Sequence, residues 1–522
     1  MKTLTVWASS APPPSSLDHV VLWSSFLPGD APPGWFSLPE YVHLNQHKLR
    51  SRYRTWLNEV SKRTIDGISI LELMAIRSNL SYWWMSIPTH DSLAIDSPAY
   101  RVIRLFALAS ISTEMDFEQV VIVADKPEVA EVLRSWAHST SKSVTVNLSG
   151  ASRRRLPFLR CTRGPALAMV RVFWNHLCIA MQPSRRSGRN IGKEGIVFID
   201  YLAHLQEPGS SGAFRSNYWG PLVELLEDWS EPVHWLHISA TYAMPAVVRD
   251  DVKKCTTFSA VRAQHSVLHS YLDLRIVGRA FRDYLRIRRF GKSVQRQSDI
   301  FAEEASGLAT FPLLEDLIKD QYFGRTAALN ALWISLWETT VANLSTQRLS
   351  VYLFENQPWE LAFLSAWRRA NSNQSLAFAH STMRFWDLRY FGSDITDDVR
   401  GRPRPNTVVV NGPLMKATAL GGQYPENFLT IAEATRSYTD MQPQSEPIVD
   451  LLILGEYDKV NDLALINVAR SIAKSLGRQT KVMYRPHPTA ESIPQSIPAT
   501  WLISDHKSIS AAVVSSCITL CG

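Results

Sequence analysis

Cysteine is scarce in this chain, with five in 522 residues (Cys161, Cys178, Cys255, Cys517 and Cys521). They form no CxxC pair and no Cys/His set at zinc spacing, which argues against a disulfide framework or structural zinc and for reduced thiols in the cytoplasm. Long apolar runs are lacking too: nothing approaches the roughly 18 uninterrupted apolar residues of a membrane-spanning helix. The nearest, PALAMVRVFWNHLCIAM at 165–181, contains Arg171, Asn175 and His176. It reads as a buried helix, with membrane-surface contact as the other reading. The N-terminal MKTLTVWASSAPPPSS has no apolar core of a secretory signal. Catalytic signatures are missing as well: no GxGxxG after a strand, no HExxH and no GxSxG. GRNIGKE at 188–194 has three residues between its glycines and no hydroxyl residue after Lys193, so it fails as a phosphate loop. No DxD-like pair stands in a suitable place, so neither a metal nor a cofactor is expected.

Charge is modestly positive, 55 Lys and Arg against 48 Asp and Glu. Such a balance alone does not identify a nucleic-acid binder, and with no recognised binding motif beside the basic runs no nucleic-acid partner is expected. The basic residues cluster in YLDLRIVGRAFRDYLRIRRFGK at 271–292, with RRR at 153–155 and RRSGR at 185–189. The first run has helical periodicity. It reads as an amphipathic surface helix with a solvated basic face, or as one that meets anionic lipid headgroups. A peripheral contact with the inner face of the plasma membrane follows as a partner expectation.

Short β-rich runs alternate with helical patterns over most of the length. LTVWAS (4–9), QVVIVAD (119–125), SVTVNLS (143–149), GIVFIDYL (195–202) and VHWLHIS (233–239) are followed by SVYLFEN (350–356), SLAFAHS (375–381) and TVVVNG (407–412). DLLILGEY (450–457), KVMYRP (481–486) and TWLIS (500–504) complete the series. Continuous apolar strands separated by helices indicate parallel α/β sheets. The chain is long enough for two such domains. FGSDITDDVRGRPRPN at 391–406 has mixed charge, Pro and Gly and no apolar periodicity, so it reads as the linker. The expected domains are 1–390, with a helical insertion near 240–345, and 407–522.

In open α/β sheets, ligands bind beyond the carboxyl ends of the strands. RPHP at 485–488 stands at such an end, where Pro486 and Pro488 stiffen the backbone on both sides of His487. GEYDK at 455–459 ends the preceding strand, and Ser515–Ser516 follows VV at the end of a later one, ahead of an expected helix. Hydroxyls and free N–H groups there favour an anion. Arg485 and Arg384 are candidates for binding anionic groups, because guanidinium binds carboxylate and phosphate as a fork. ENQPWE at 355–360 and AHST at 379–382 put Glu355 and His380 at the ends of adjacent strands, where either could orient or deprotonate an acceptor hydroxyl, expected opposite His487. Pairing of Glu355 or Glu360 with Arg384 or Arg389 is the structural alternative. Trp83, Trp84, Trp219, Trp359, Trp367 and Trp386 read mainly as packing, with sugar stacking as the other role.

His-Pro after one strand and a Ser pair after a later one, in the second of two α/β domains, resemble the GT-B glycosyltransferases that use CMP-activated sialic, Kdo or pseudaminic acids. The resemblance implies donor-phosphate contacts for His487, Ser515 and Ser516, with Pro488 shaping the turn; Glu456, in the GEYDK strand end, is counted with the donor-binding residues on its position. The runs SYWWMS (81–86), FRSNYWGPL (214–222), YLFENQPWELAFLSAWRR (352–369), FAHSTMRFWDLRYF (378–391) and VVVNGPL (408–414) are similar to the surface-carbohydrate biosynthesis family of capsule and O-antigen clusters.

The expected fold is therefore α/β and GT-B-like, two Rossmann-type domains facing a cleft. The expected function is transfer of a nonulosonic acid-type sugar from a CMP donor to a glycan or lipid-linked glycan. A CDP-alcohol-type phosphotransferase is the alternative. The chain stops six residues after Ser516, where such a domain normally continues, so a shortened second domain and an inactive remnant are also expectations.

Overall fold

The computed structural model describes residues 2–87, 97–140, 142–148, 170–178, 194–206, 213–239, 252, 255, 258, 263–304, 306–344, 346–370, 373–391, 401–433, 448–456, 459–477, 479–487, 493–494, 496–504, 513 and 516–521. The protein is α/β, and its three larger sheets are all parallel. The first contains β1 (Thr3–Ala8), β2 (Val20–Leu22), β3 (Trp35–Ser37), β4 (Gln119–Ala124) and β5 (Ser143–Leu148), in the order β3-β2-β1-β4-β5. The second contains β6 (Gly195–Tyr201), β7 (Val233–Ile238), β8 (Ala263–Val267), β9 (Gln347–Leu353), β10 (Gln374–Ala379), β11 (Thr407–Val410) and β12 (Leu429–Ile431). Its order is β8-β7-β6-β9-β10-β11-β12. A small third sheet orders β13 (Val449–Leu454), β14 (Val482–Arg485), β15 (Leu502–Ile503) and β16 (Ser516–Leu520) as β15-β14-β13-β16.

All three share one logic. The chain winds outward from a first strand, then crosses back and continues on that strand's other side, which is the Rossmann-like arrangement. The β6 strand is buried through Asp200 and the β7 strand throughout, as expected of strands covered on both faces. In the seven-stranded sheet the return crossover runs from β8 to β9 through α3 (Leu274–Arg296), α4 (Phe311–Phe323) and α5 (Arg325–Ala342). α5 is apolar nearly all round and almost wholly buried, including Trp333 and Trp337. It packs between α3 and α6 (Pro358–Ala370). Arg77 joins these helices, with 2.6 Å contacts to Asp283 of α3 and Glu338 of α5, while Arg369 of α6 meets the same Glu338. The expected helical insertion near 240–345 is thus largely this crossover, with strand β8 inside its bounds.

The chain divides into two compact units, Met1–Ser92 with Arg101–Arg436 and Leu93–Tyr100 with Ser437–Gly522. The break therefore falls after Arg436, and not in 391–406 as the Pro/Gly-rich composition suggests. β11, expected to open the second domain, pairs with β10 in the seven-stranded sheet, and β12 pairs with β11 beside it. Residues 401–406 are held by that body: Ser81 N donates to Gly401 O at 2.8 Å, Arg402 stacks over Trp84, and Asn406 N donates to Ser375 O. Gly401 has φ +74°, and a Cβ there would meet Ser81 N at 2.8 Å, so glycine here serves close approach and not flexibility.

Among the described residues no helix is long and apolar enough to cross a membrane. Residues 170–178, within the longest apolar run, are helical and half-exposed, with His176 buried and Val170 and Trp174 exposed. The basic runs at 153–155 and 185–189 lie outside the described residues.

Candidate active site at the strand ends

In the seven-stranded sheet the winding reverses between β6 and β9, and the carboxyl ends of the strands flanking such a reversal are where open α/β sheets bind ligands. β6 ends in Asp200 and Tyr201, followed by a single helical turn carrying His204. β9 continues into Phe354, Glu355 and Asn356, and β10 into His380. Leu353 pairs with Phe378, so Glu355 and His380 stand level two residues further on.

The Glu355 turn is built by Glu360. Pro358 opens α6, and the Glu360 carboxylate reaches back to accept three backbone N–H groups: Glu355 (3.0 Å), Asn356 (3.1 Å) and Gln357 (2.8 Å). This works like the acidic half of a capping box. It holds Asn356 at φ +55°, a left-handed conformation that asparagine tolerates. Glu360 is fully buried. Burial pushes its carboxyl well up, with Glu355 adding to that and the N–H groups of Gln357 and Glu355 opposing it.

Glu355 meets His380 Nε2 through Oε1 at 3.3 Å, and its side chain is 29% exposed against 3% for the histidine. Tyr201 Oη donates to Glu355 Oε2 at 3.4 Å and accepts from Trp359 Nε1 at 2.9 Å. Burial alone would raise the Glu355 carboxyl. The His380 contact and the charges of Arg389 and His204 outweigh it, so the group lies below the ordinary glutamate range. Arg389 itself is forked onto Asp387 at 2.7 and 2.6 Å. His204 stacks on Tyr218 at 3.6 Å and bonds Asp200 Oδ1 at 3.2 Å, while Tyr218 packs edge-on against His380. Among the described residues, His380 Nδ1 and Asp200 Oδ2 are buried with no hydrogen-bond partner. The arrangement presents one solvent-reaching carboxylate, kept ionised by His380, Arg389 and His204 and hydrogen-bonded by the Tyr201 phenol. Ionised, it can accept a hydrogen bond from a bound hydroxyl and orient it.

The expected pair Glu355 and His380 is thus brought together. Arg384 is exposed, and the arginine whose charge lowers Glu355 is Arg389. Sequence reasoning missed Tyr201, His204 and Tyr218 as site residues. The signal lay in the polar ends of two runs already visible, GIVFIDYL and FRSNYWG.

The small sheet carries the other candidates. Arg485 ends β14 and is buried, with its carbonyl accepting from Gly455 N at 2.8 Å. Glu456 N donates to Asp462 Oδ1 (3.1 Å), and Tyr484 Oη donates to Asp462 Oδ2 (2.8 Å). Asp462 lies in the first turn of α7 (Lys459–Leu476). His487 follows at the same strand end. Its imidazole is pushed down by burial, with Glu456 opposing and Arg485 assisting.

Ser516 is not with them. It begins β16 and pairs with Val449, the first residue of β13, whereas Arg485 pairs with Leu454, the last. Ser516 therefore sits at the opposite end of the sheet from His487, with Oγ bonded to Val513 O at 2.9 Å. The expectation of a Ser pair after a strand is corrected for a plain reason: Ser-Cys-Ile-Thr-Leu is itself the strand, so the serine opens it. Ser515 and Pro488 lie outside the described residues.

For metals, the one group found among the described residues is His237, Cys255 and His265, with donor atoms within 4.8 Å of one another. His237 is on β7 and His265 on β8, with Cys255 in the chain between them, on the other side of β6 from Glu355. The two rings are parallel to 2°, with His237 Nε2 at 3.0 Å from His265 Nδ1, which is hydrogen-bond geometry between neutral imidazoles. Burial pushes His265 down to about 3 and the Cys255 thiol up to about 12, consistent with uncharged core groups.

No family model matches the chain, and no curated protein matches it.

Proposed function

We propose that the protein is a GT-B-like glycosyltransferase that moves a nonulosonic acid-type sugar from a CMP donor to a hydroxyl of a bacterial surface glycan, at the cytoplasmic face of the membrane. The observation that carries this reading is the Glu355–His380 contact of 3.3 Å at the reversal point of the seven-stranded sheet. Glu355 takes the proton of the acceptor hydroxyl as its oxygen bonds the anomeric carbon. The bond from that carbon to the phosphate oxygen breaks, and CMP leaves with the electron pair. His380 and Tyr201 are positioning groups: they hold the carboxylate in its ionised, outward orientation. Within the small sheet taken by itself, Arg485, His487 and Glu456 share one strand end, where guanidinium and imidazole hydrogen bonds would favour a phosphate, and the CMP part of the reading rests on them. The resemblance of the tryptophan-rich runs to surface-carbohydrate enzymes supports the same assignment.

Calorimetry with CMP on the full chain tests it. Binding is expected, weakened by Arg485→Ala and unchanged by Glu355→Gln, which instead removes turnover of a CMP-sugar. Absence of CMP binding would overturn the proposal. Turnover of CDP-glycerol in place of CMP-sugars would assign the site to a phosphotransferase.

A further inference from the structure

Helix α3 carries the charge imbalance of the whole protein. Leu274–Arg296 contains eight Lys and Arg residues and one acid, Asp283. Taking eight from 55 and one from 48 leaves 47 of each sign, so the rest of the chain has no net charge. Asp283 is buried against Arg77 and offers nothing to the outer face.

At about 100° per residue, the buried side chains Ile276, Ala280, Ile287 and Val294 fall on one side of the helix. Leu274, Phe281 and Leu285 fall within roughly 40° of one another on the far side, at 77%, 41% and 38% exposure. Arg275, Arg282, Arg286 and Arg289, all exposed, form a row along one flank of that apolar stripe, and exposed Lys292 and Arg296 continue the stripe itself. Between Leu274 and Phe281 the helix has Gly278, where a Cβ would meet nothing within 4 Å. A hollow of about 620 Å³ opens there, lined by Arg275, Arg279 and Arg282 with Asp273 and Thr339. Asp273 Oδ1 is engaged by the Ile276 N–H at 2.8 Å as the helix cap.

A merely solvated basic face has no use for three aligned large apolar side chains, and a soluble polyanion would use the arginines alone. A bilayer surface uses both, because apolar groups enter the acyl boundary while cations meet the phosphates. We propose that the outward face of α3 is the docking surface for an anionic lipid bilayer. The helix lies in the interface plane, Leu274, Phe281 and Leu285 enter the acyl boundary, and the hollow at Gly278 receives a lipid phosphate between Arg275, Arg279 and Arg282. This goes beyond the transferase reading and is read without turnover.

Co-sedimentation of the full chain with vesicles tests it. Binding is expected to equimolar phosphatidylglycerol and phosphatidylcholine, and little to phosphatidylcholine alone. At about 1 kcal/mol for each basic residue near the surface, the Arg282→Glu/Arg289→Glu variant loses about thirtyfold or more in partitioning. Phe281→Ser/Leu285→Ser loses about tenfold or more. All four residues are exposed, so circular dichroism should be unchanged, and unaltered CMP affinity separates this face from the donor site. Equal binding to both vesicle types, or wild-type binding by the charge-reversed variant, overturns the proposal. Full vesicle binding by the Phe281/Leu285 variant also overturns it, pointing to a soluble polyanion, for which a DNA duplex is the probe.

Discussion

Replacing Glu360 is expected to damage the Glu355 turn from behind, without touching any group that reaches solvent. Its carboxylate accepts three N–H groups at 2.8–3.1 Å. Each such bond contributes about 1 kcal/mol, the usual net value for a protein hydrogen bond, since residues 355–357 are only half-buried and water can partly replace it. Glu360→Ala should therefore cost about 3 kcal/mol. Glu360→Gln keeps the oxygen that serves Glu355 and Gln357 but turns an amide N–H₂ toward Asn356 N–H, costing about 1–2 kcal/mol. With roughly 2 cal/mol/K of unfolding entropy per residue over a unit of roughly 430 residues, 3 kcal/mol lowers Tm by about 3 °C. Differential scanning calorimetry resolves that, and hydrogen exchange at Glu355, Asn356 and Gln357 should quicken in the same order, Gln before Ala. Equal effects of Gln and Ala, or an unchanged melting temperature and exchange rate in Glu360→Ala, would refute the assignment of Glu360 as the organiser of this turn.

Three further outcomes are expected. Glu355 has a depressed carboxyl in the fold, so it contributes stability above the ordinary value near 4.3 that is lost as pH falls through the lower folded value. Glu355→Gln should destabilise near neutral pH, and the difference from wild type should close below about pH 4 in pH-dependent denaturant melts; a constant difference at all pH values would mean the contact is not ionic. Arg77→Met leaves Asp283 and part of Glu338 without their cation and should cost about 3–5 kcal/mol, largely recovered when Asp283→Leu is added; failure of the second change to help would place the cost elsewhere. A Cβ at Gly455 would lie 2.4 Å from Tyr484 Oη, so Gly455→Ala should cost about 1–3 kcal/mol, less in a Tyr484→Phe background; an equal cost in both backgrounds would exonerate the hydroxyl.

What the residues announce and what they hide follow one physical divide. Apolar runs such as QVVIVA and VHWLHI are strands because burial on both faces leaves no other pattern, and the sheets form around them. Three-residue strands such as Val20–Leu22 and Leu429–Ile431 carry too little pattern to be read, and they exist because longer neighbours template them. Pro and Gly misled at 401–406 for a related reason. Composition reports local stiffness, whereas Ser81, Trp84 and Ser375, far away in sequence, decide whether the segment is free or packed.

The site divides in the same way. Glu355 and His380 were legible because each follows an unmistakable strand, and adjacent parallel strands bring their ends level. Tyr201, His204 and Tyr218 were not, since their roles depend on which strand lies beside which, and strand order is invisible in a single chain. The serine at 516 failed on register alone. A hydroxyl at the first residue of a parallel strand and one just past its last residue look alike in sequence, yet they stand at opposite ends of the sheet. The proposed donor site therefore rests on Arg485, His487 and Glu456, whose common strand end is independent of where the serine lies.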